Sequence, residues 1–354
     1  MAIHPRPVAA ALFLVALTQS WAPASDAKPV RATVVSTLPT AHGHARQFAL
    51  DGKADTYYAS EKNPGKDDTA TLVFDSPVML KSIRVMTGKP DGGDRLTGGS
   101  LEISADGESF EPIAKFADGT VHASPGRKAK AVRVKPGAIG HPLVIREFAV
   151  ESEPPVATFK HPLEIFAWSE DPSMTDWVMK AARICEREYD MICEELRSDG
   201  YKPRTEFTMD LDNNYRGVAQ TGGSEVLGSV RFFKQHPDDF GAMFHETVHV
   251  AQMYRRGVGR NAGWLVEGIP DYLRFFKYEP GKIGPVNPNR WEYNQPYRPA
   301  AHFLNYVTEK YDKDIVRKVN AALREGDYKP ELWEVWTKKK VEDLGAEWKE
   351  SLNR

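Results

Sequence analysis

Residues 30 to 152 carry short runs in which apolar and polar side chains alternate between glycine-rich turns. The clearest runs are residues 71–74, 82–85, 100–104, 131–134 and 143–145, with turns such as Asp106-Gly107 between them. A pattern with period two places alternate side chains on one face of a strand. Many short strands at this spacing predict an antiparallel β-sandwich.

The pattern changes after Glu153-Pro154-Pro155, where two prolines stiffen the chain and the composition shifts. From about residue 159, apolar residues recur at helical spacing. We expect helices over 174–197, 237–256, 265–277, 298–311 and 313–324, with strands between them. The chain is too long for one compact core. We therefore predict a multidomain protein, with the β-sandwich at 30–152 followed by an α+β domain at 159–354.

Residues 1–24 have the pattern of an export signal. Arg6 precedes an apolar run over residues 8–17, and Ala22-Pro23-Ala24 offers a small-x-small cleavage site. The run is too short for a stable membrane helix, although a retained anchor is the alternative. No later segment is apolar enough to span a membrane. We expect a secreted or periplasmic protein that is cleaved near Ala24.

The most informative motif is His245-Glu246-Thr247-Val248-His249, which has the form H-E-x-x-H. Two histidines four residues apart on a helix rise by about 6 Å and stay on one face, where both imidazoles can bind one zinc ion. Glu246 can then take a proton from water activated by the metal. Two surface histidines on a helix are the alternative. Neighbours such as Met243 and Phe244 instead favour an amphipathic helix with a buried face.

Glu267 and Asp271 follow far enough downstream for a second helix to pack against the first. We predict that Glu267 is the third metal ligand and that Asp271 accepts the second ring proton of His245. A solvated surface acid is the alternative for Glu267. Pro270 is compatible with the first turn of a helix, so we expect this helix to begin near residues 265–267.

These residues resemble a known family. The H-E-x-x-H motif with Gln252, followed by Glu267-Gly268-Ile269-x-Asp271-Tyr272, is similar to the basic secretory protein peptidases of plants and bacteria. Those are gluzincin-type zinc metallopeptidases, and the resemblance covers roughly residues 160–350. It implies a zincin-like domain in which His245, His249 and Glu267 bind zinc and Glu246 is the general base. Pro270 stands where the family commonly has alanine.

The resemblance also implies roles around the cleft. The strand expected over residues 224–233 would form the edge beside the cleft, where a peptide substrate adds main-chain hydrogen bonds. Tyr293, Tyr297 and His302 are candidate donors to the negative charge that develops during hydrolysis. Tyr297 is preferred because it matches the family's aromatic position. A tyrosine that only packs in the core is the alternative.

The β region resembles the discoidin-like modules of the coagulation-factor C type, which are jelly-roll sandwiches. The matching segments are Leu50-Asp51-Gly52-x-x-Asp55-Thr56-x-Tyr58, residues 72–74 and 101–110, and Arg146-Glu147-Phe148. Such modules often bind glycans, phospholipids or proteins, and some hold calcium. The resemblance implies a glycan site lined by aromatic and basic side chains, and calcium at Asp51 and Asp55. The glycan-site residues are Tyr57, Tyr58, His42, His44 and Arg46. The alternative is a module that only packs against the catalytic domain.

Net charge and cysteine content argue against nucleic-acid binding and against a disulfide. A formal net charge of −2 gives no electrostatic footprint for nucleic acid. Cys185 and Cys193 stand eight residues apart on one predicted helix, about 12 Å, which is too far for a disulfide. We expect two buried thiols that do not bind zinc. Asp210 begins a segment like a calcium loop, but Tyr215 replaces the required glycine, so a turn is the better interpretation.

The sequence therefore predicts an exported zinc-dependent endopeptidase that hydrolyses proteins or glycoproteins and is directed by a glycan-binding module. Two alternatives remain open. One is an adhesion protein whose metallopeptidase-like domain is inactive, and the other is an O-glycopeptidase that acts on mucin-like substrates.

Overall fold

The computed structural model describes residues 28–255 and 258–353. The export signal predicted at residues 1–24 lies outside this range. So do Arg256 and Gly257, at the predicted end of the first ligand helix. None of the described helices is long and apolar enough to cross a membrane.

The N-terminal domain is an eight-stranded antiparallel structure. Its longest strand, β3, has 18 residues. The first part of β3 pairs with β1 and β7, and after a register shift between Val73 and Val78 it continues beside β8 and β6. Buried side chains from both parts, such as Leu72 and Val85, share one core. The strands are β1 (Ala32–Ser36), β2 (Tyr58–Ala59), β3 (Ala70–Thr87), β4 (Ser100–Ser104), β5 (Glu111–Lys115), β6 (Thr120–Ala123), β7 (Arg127–Lys135) and β8 (Val144–Glu153).

The C-terminal domain combines a four-stranded sheet with eight helices in the described residues. The strand order is β11-β12-β10-β9, in which β11 is antiparallel to β12 and the other pairs are parallel. The elements are β9 (Glu164–Ser169), α1 (Thr175–Glu195), β10 (Glu206–Asp212), β11 (Ala219–Gly222), β12 (Glu225–Ser229), α2 (Val230–Gln235), α3 (Phe240–Gln252), α4 (Gly259–Leu273), α5 (Arg298–Lys310), α6 (Ile315–Glu325), α7 (Glu331–Thr337) and α8 (Val341–Ser351). One apolar core joins the sheet to α1 and α3. The predicted fold class, a β-sandwich followed by an α+β domain, is confirmed.

Three of the predicted helices agree closely with α1, α5 and α6. In α1, Val178, Ala181, Cys185 and Ile192 recur at helical spacing and are buried, which explains why periodicity found this helix. Cys185 and Cys193 are free, buried thiols, as predicted. The turn predicted after Asp210 follows the end of β10 at Asp212.

The strand predicted over residues 224–233 is wrong in its second half and in its position. β12 ends at Ser229, whose side-chain oxygen accepts a hydrogen bond from the Phe232 N–H at 3.3 Å and begins α2. A serine before a helical run is a recognisable N-cap. β12 is also not the edge of the sheet, because β11 lies outside it.

The helix that carries Glu267 does not begin where Pro270 indicated. α4 extends over Gly259–Leu273, is interrupted by non-helical backbone at Ala262 (φ −139°, ψ 20°), and contains Pro270 in its interior. A π-helical segment, Arg274–Tyr278, follows directly. The helical segment that carries Glu267 begins just after Ala262, slightly before the expected start near residues 265–267, and the placement of Pro270 in its first turn is wrong. Interior proline is tolerated when another donor takes the carbonyl that it leaves without a partner.

Buried charges join the two domains. Arg46, in the sandwich domain, places Nη2 2.6 Å from Glu164 Oε1 and 3.3 Å from Glu186 Oε1, and all three side chains are buried. Gln47 donates to the Glu186 main-chain carbonyl at 3.0 Å and accepts from the Leu163 N–H at 2.9 Å. Burial raises the pKa of Glu186 well above its usual range, although Arg46 opposes this effect. A buried, paired guanidinium is not available to a glycan, so the prediction that Arg46 lines a sugar site is wrong.

Candidate metal centre

Helix α3 carries His245, Glu246 and His249 on neighbouring turns. The other faces of the helix are buried in the core. Asp239 caps the helix by accepting a hydrogen bond from the Ala242 N–H at 3.1 Å. Phe244 and Val248, next to the ligand positions, are fully buried. The apolar neighbours thus fix the rotation of α3 about its axis. As a result both imidazoles face α4, on which Glu267 lies.

The three predicted ligands converge. His245 Nε2 lies 3.1 Å from His249 Nε2, and each of these nitrogens lies 3.3 Å from Glu267 Oε2. Three ligand atoms on a tetrahedral zinc ion, at bond lengths of about 2.0–2.1 Å, stand about 3.4 Å apart. The observed triangle has that size. Two imidazole nitrogens and one carboxylate oxygen are also the donor types that zinc prefers, so the residues fit this metal.

The outer nitrogen of each histidine has its own partner. His245 Nδ1 donates to Asp271 Oδ1 at 2.8 Å, and His249 Nδ1 donates to Gln252 Oε1 at 2.7 Å. A proton held on Nδ1 leaves the Nε2 lone pair for a metal. Asp271 therefore lies where the sequence predicted it. The sequence indicated Gln252 only as part of the motif, and not as a partner of His249.

Electrostatics in this cluster follow from the same contacts. Burial lowers the pKa of His245, but hydrogen bonds to Asp271 and Glu267 outweigh burial and raise it to about 9. Burial raises the pKa of Glu267, but hydrogen bonds from both histidines outweigh it and lower the pKa to about 2. Each group is thus held beside opposite charge.

Glu246 points to the edge of the sheet. Thr221 Oγ1 donates to Glu246 Oε2 at 2.7 Å and also lies 3.0 Å from the Glu246 main-chain oxygen. Thr221 belongs to β11, the strand at the edge of the sheet. Sequence reasoning missed Thr221. The available signal was the Gly222-Gly223-Ser224 turn between two short runs, which is typical of a hairpin.

A cleft of about 1160 Å³ opens over the ligands. One wall consists of β11 and the residues before it, and the other walls come from α3, α4 and the start of α5. Tyr297 also lines the cleft, with its ring 6.0 Å from the His245 ring and half of its surface exposed. Its φ of 65° is strained for a non-glycine residue. Burial, with the nearby Glu267 and Glu246, raises the pKa of Tyr297.

Two other candidate donors pack in the core. Tyr293 lies against Trp264 and Phe303, at ring distances of 5.6 and 5.2 Å. His302 accepts a hydrogen bond from Trp348 Nε1 at 2.9 Å through Nδ1. Neither residue lines the cleft described above. Of the three candidate donors, Tyr297 lines the cleft, whereas Tyr293 and His302 pack against other aromatic side chains.

The predicted glycan-site residues are dispersed. Tyr58 is fully buried and donates to Ser36 Oγ at 2.8 Å, so its predicted contact with a sugar is wrong. His42 packs against Phe166 of the C-terminal domain at a ring distance of 4.2 Å. Only His44 and Tyr57 form a compact pair, stacked at 4.3 Å and partly exposed. An aromatic residue in a strand of a sandwich can pack in the core or contact a ligand, and sequence alone does not reveal which.

The two acids predicted to bind calcium, Asp51 and Asp55, differ in burial. Asp51 is buried and accepts from the Thr56 hydroxyl at 2.8 Å, whereas Asp55 is exposed. Glu147 lies beside Asp51 and accepts from the Gly52 N–H at 3.1 Å. Burial, with a contribution from Asp51, raises the pKa of Glu147 to about 8. Among the described residues, only His245, His249 and Glu267 form a group of three potential metal ligands.

Comparison with known proteins agrees with the C-terminal assignment. Residues 173–348 match the model of the family described as "Peptidase of plants and bacteria". This match confirms the family resemblance predicted from the H-E-x-x-H region. No curated protein matches the chain significantly.

Solved structures similar to the chain include modules from Clostridium perfringens. CBM32-1 of a family 31 glycoside hydrolase is 14% identical with a TM-score of 0.30, covering 34% of this chain and 92% of that chain. CpGH89CBM32-5, solved with GalNAc-β-1,3-galactose, is 20% identical with a TM-score of 0.30, covering 34% and 94%. The family 32 module of NanJ, solved with galactose, is 12% identical with a TM-score of 0.29, covering 34% and 92%.

Proposed function

We propose that this chain, whose C-terminal domain belongs to the peptidase family of plants and bacteria, is an exported zinc-dependent endopeptidase. The observation that carries the proposal is the triangle of His245 Nε2, His249 Nε2 and Glu267 Oε2, with sides of 3.1, 3.3 and 3.3 Å. These three atoms would hold the metal. When bound, zinc supplies Lewis-acid chemistry toward the oxygens of water and of the scissile carbonyl.

Glu246 is the general base in this proposal. It lies between the two histidines in sequence, and the Thr221 hydroxyl donates to one carboxylate oxygen at 2.7 Å. That contact holds the carboxylate in one orientation while its other oxygen remains for a water molecule. Glu246 takes the proton of the attacking water and later delivers it to the leaving amine. Tyr297, which also lines the cleft, is the proposed donor to the developing oxyanion.

The edge strand β11 is the proposed binding site for substrate main chain. The Ser229 N–H donates to the Val218 oxygen at 3.0 Å, so residues 218, 220 and 222 face β12. The main-chain groups of Ala219 and Thr221 then point away from β12, where the Tyr215 hydroxyl donates to the Ala219 oxygen at 3.3 Å. An extended peptide that pairs with them passes Glu246, because the Thr221 side chain contacts the Glu246 carboxylate. An internal segment of a protein chain can bind in this way, which is why we propose an endopeptidase.

The sandwich domain is proposed to direct the enzyme to glycans. The partly exposed, stacked His44 and Tyr57 rings provide an aromatic face of the kind that sugars contact. Calcium binding is proposed beside Asp51, with Glu147 as a second carboxylate. If calcium binds there, it will raise the thermal unfolding temperature of the wild type and have no such effect on Glu147→Gln.

Peptide and mucin libraries analysed by mass spectrometry test the function. We expect the zinc-loaded wild type to cleave internal peptide bonds, and Glu246→Gln to retain zinc while losing about 10³-fold in rate, the range attributed to a general base. Cleavage of mucins without cleavage of unglycosylated peptides would instead favour an O-glycopeptidase. Equal activity in the wild type and Glu246→Gln would contradict the proposal.

A further inference from the structure

Pro270 occupies an interior position of α4, where proline removes a hydrogen bond. The helix continues to Leu273, so residue 270 would normally donate its N–H to the oxygen of Val266, four residues earlier. Proline has no N–H. The Val266 carbonyl is therefore left without its helical donor, one residue before the ligand Glu267.

Gln252, the last residue of α3, donates a hydrogen bond to that carbonyl oxygen. Its Nε2 donates to the Val266 oxygen at 3.1 Å, and its side chain is almost completely buried, with 1% of the residue exposed. The other end of the same amide, Oε1, lies 2.7 Å from His249 Nδ1. One buried amide thus connects the helix of Glu267 to the ring of His249.

The Val266 carbonyl also determines which way the amide points. A carbonyl oxygen accepts hydrogen bonds and cannot donate, so the NH₂ group of Gln252 must face Val266. Oε1 must then face His249, whose Nδ1 must carry the proton. When the ring is neutral, Nε2 of His249 then keeps its lone pair, on the side of Glu267 and His245.

We propose that Gln252 and Pro270 act together as positioning residues for His249: Pro270 frees the Val266 carbonyl, this carbonyl orients the Gln252 amide, and the amide fixes the ring and tautomer of His249. The inference rests on the proposed zinc function. It adds a second outer partner to the centre, equivalent for His249 to what Asp271 is for His245. It also accounts for the proline that interrupts helical hydrogen bonding in α4.

The main chain around Gln252 is held independently of its side chain. Arg324 donates to the Gln252 main-chain oxygen and to the Ala251 oxygen, at 3.0 Å each. Arg324 also stacks on the Tyr201 ring at 3.8 Å. Because these contacts fix the end of α3, a change in the Gln252 side chain should alter the amide contacts without displacing the helix.

A double-mutant cycle with Gln252→Met and Pro270→Ala tests the end of the amide that contacts the Val266 carbonyl. Gln252→Met leaves the Val266 carbonyl with no donor, and Pro270→Ala restores an N–H to it. Pro270→Ala should therefore raise the thermal unfolding temperature of the metal-free protein by about 3–8 °C more in the Gln252→Met background than in the wild-type background. Equal shifts in the two backgrounds would overturn the link between Pro270 and Gln252.

Zinc affinity tests the other end. Gln252→Met should weaken zinc binding about 10- to 100-fold, the usual effect of losing an outer partner of a metal-bound histidine. Pro270→Ala should not restore it, because methionine cannot accept the His249 proton effectively. In the metal-free protein, the NMR signals of the His249 ring should show one tautomer for the wild type and a mixture for Gln252→Met. Zinc affinity within twofold of the wild type, or an unchanged tautomer, would overturn the proposal.

Gln47→Leu is the matched control. Gln47 is also a buried bridging amide, but it joins the two domains away from the metal centre. This substitution should lower the unfolding temperature without changing zinc affinity or interacting with Pro270→Ala. If Gln252→Met alone folds poorly, the double variant with Pro270→Ala restores the fold and must still bind zinc weakly. A protein that binds no zinc in any variant would refute the proposed function, whereas zinc-dependent cleavage with unchanged affinity in Gln252→Met would refute only this inference.

Discussion

Asp271→Asn tests how strongly a single outer carboxylate supports the metal centre. Asp271 Oδ1 lies 2.8 Å from His245 Nδ1, and both side chains are buried, with 7% and 9% exposed. Asparagine has nearly the same shape and retains an oxygen that can accept the His245 proton. The substitution therefore removes the negative charge while preserving the hydrogen bond.

The magnitude follows from the difference between charged and neutral hydrogen bonds. A hydrogen bond to a charged group contributes about 1.5–3 kcal/mol, against about 0.5–1.5 kcal/mol for a neutral pair. A difference of about 1.4 kcal/mol corresponds to tenfold in binding. We therefore expect Asp271→Asn to weaken zinc binding about tenfold.

A competition titration against a zinc chelator measures this change directly. The control is Glu194→Gln, because His161 Nε2 and Glu194 Oε1 form a histidine–carboxylate pair at 3.1 Å outside the metal centre. That variant should bind zinc like the wild type. Affinity within twofold of the wild type for Asp271→Asn, or an equal loss in Glu194→Gln, would refute the reasoning.

Three further substitutions test other parts of the structure. Thr221→Val should lower kcat about tenfold with little change in KM, because it removes the hydrogen bond to the Glu246 carboxylate. An unchanged kcat would show that Thr221 does not orient the base. The pKa of Glu147 rises from 4.5 to about 8 on folding, so its contribution to stability is complete below about pH 4.5 and is lost as pH rises through about 8. Without calcium, Glu147→Gln should therefore raise the unfolding temperature more at about pH 9 than at about pH 5, and a pH-independent difference would contradict the burial argument. Arg46→Met should lower the free energy of unfolding in denaturant titrations by about 3 kcal/mol. This is the lower end of the range for a broken buried ion pair, because Arg183 remains beside the same carboxylates. Unchanged stability would contradict a structural role for Arg46.

The fold class was predictable because its signals are local. Period-two runs marked the sandwich strands, and helical spacing marked α1, α5 and α6 to within two residues of their ends. The spacing of His245, Glu246 and His249 on one helix also depends only on helix geometry. Glu267 and Asp271 required a second helix to pack against α3. Their placement beside the histidines follows from tertiary contacts, which the sequence indicated through their spacing downstream of the motif and through the family resemblance.

The errors concern residues whose environment is set by distant parts of the chain. Tyr58 and Arg46 have side chains suited to sugars, but the sandwich core buries one and the C-terminal domain pairs the other. Pro270 was placed at a helix start because no local pattern shows that Gln252 can replace its missing N–H. Thr221 was missed because β11 has only four residues, too few for a periodic pattern.

The proposed function requires that two imidazoles and the Glu267 carboxylate bind one zinc ion. Anomalous diffraction at the zinc absorption edge, on crystals of the full chain grown with zinc, tests it most directly. We expect one strong peak about 2 Å from His245 Nε2, His249 Nε2 and Glu267 Oε2. A peak elsewhere, or a Glu267 side chain directed away from both histidines in the zinc-soaked crystal, would contradict it.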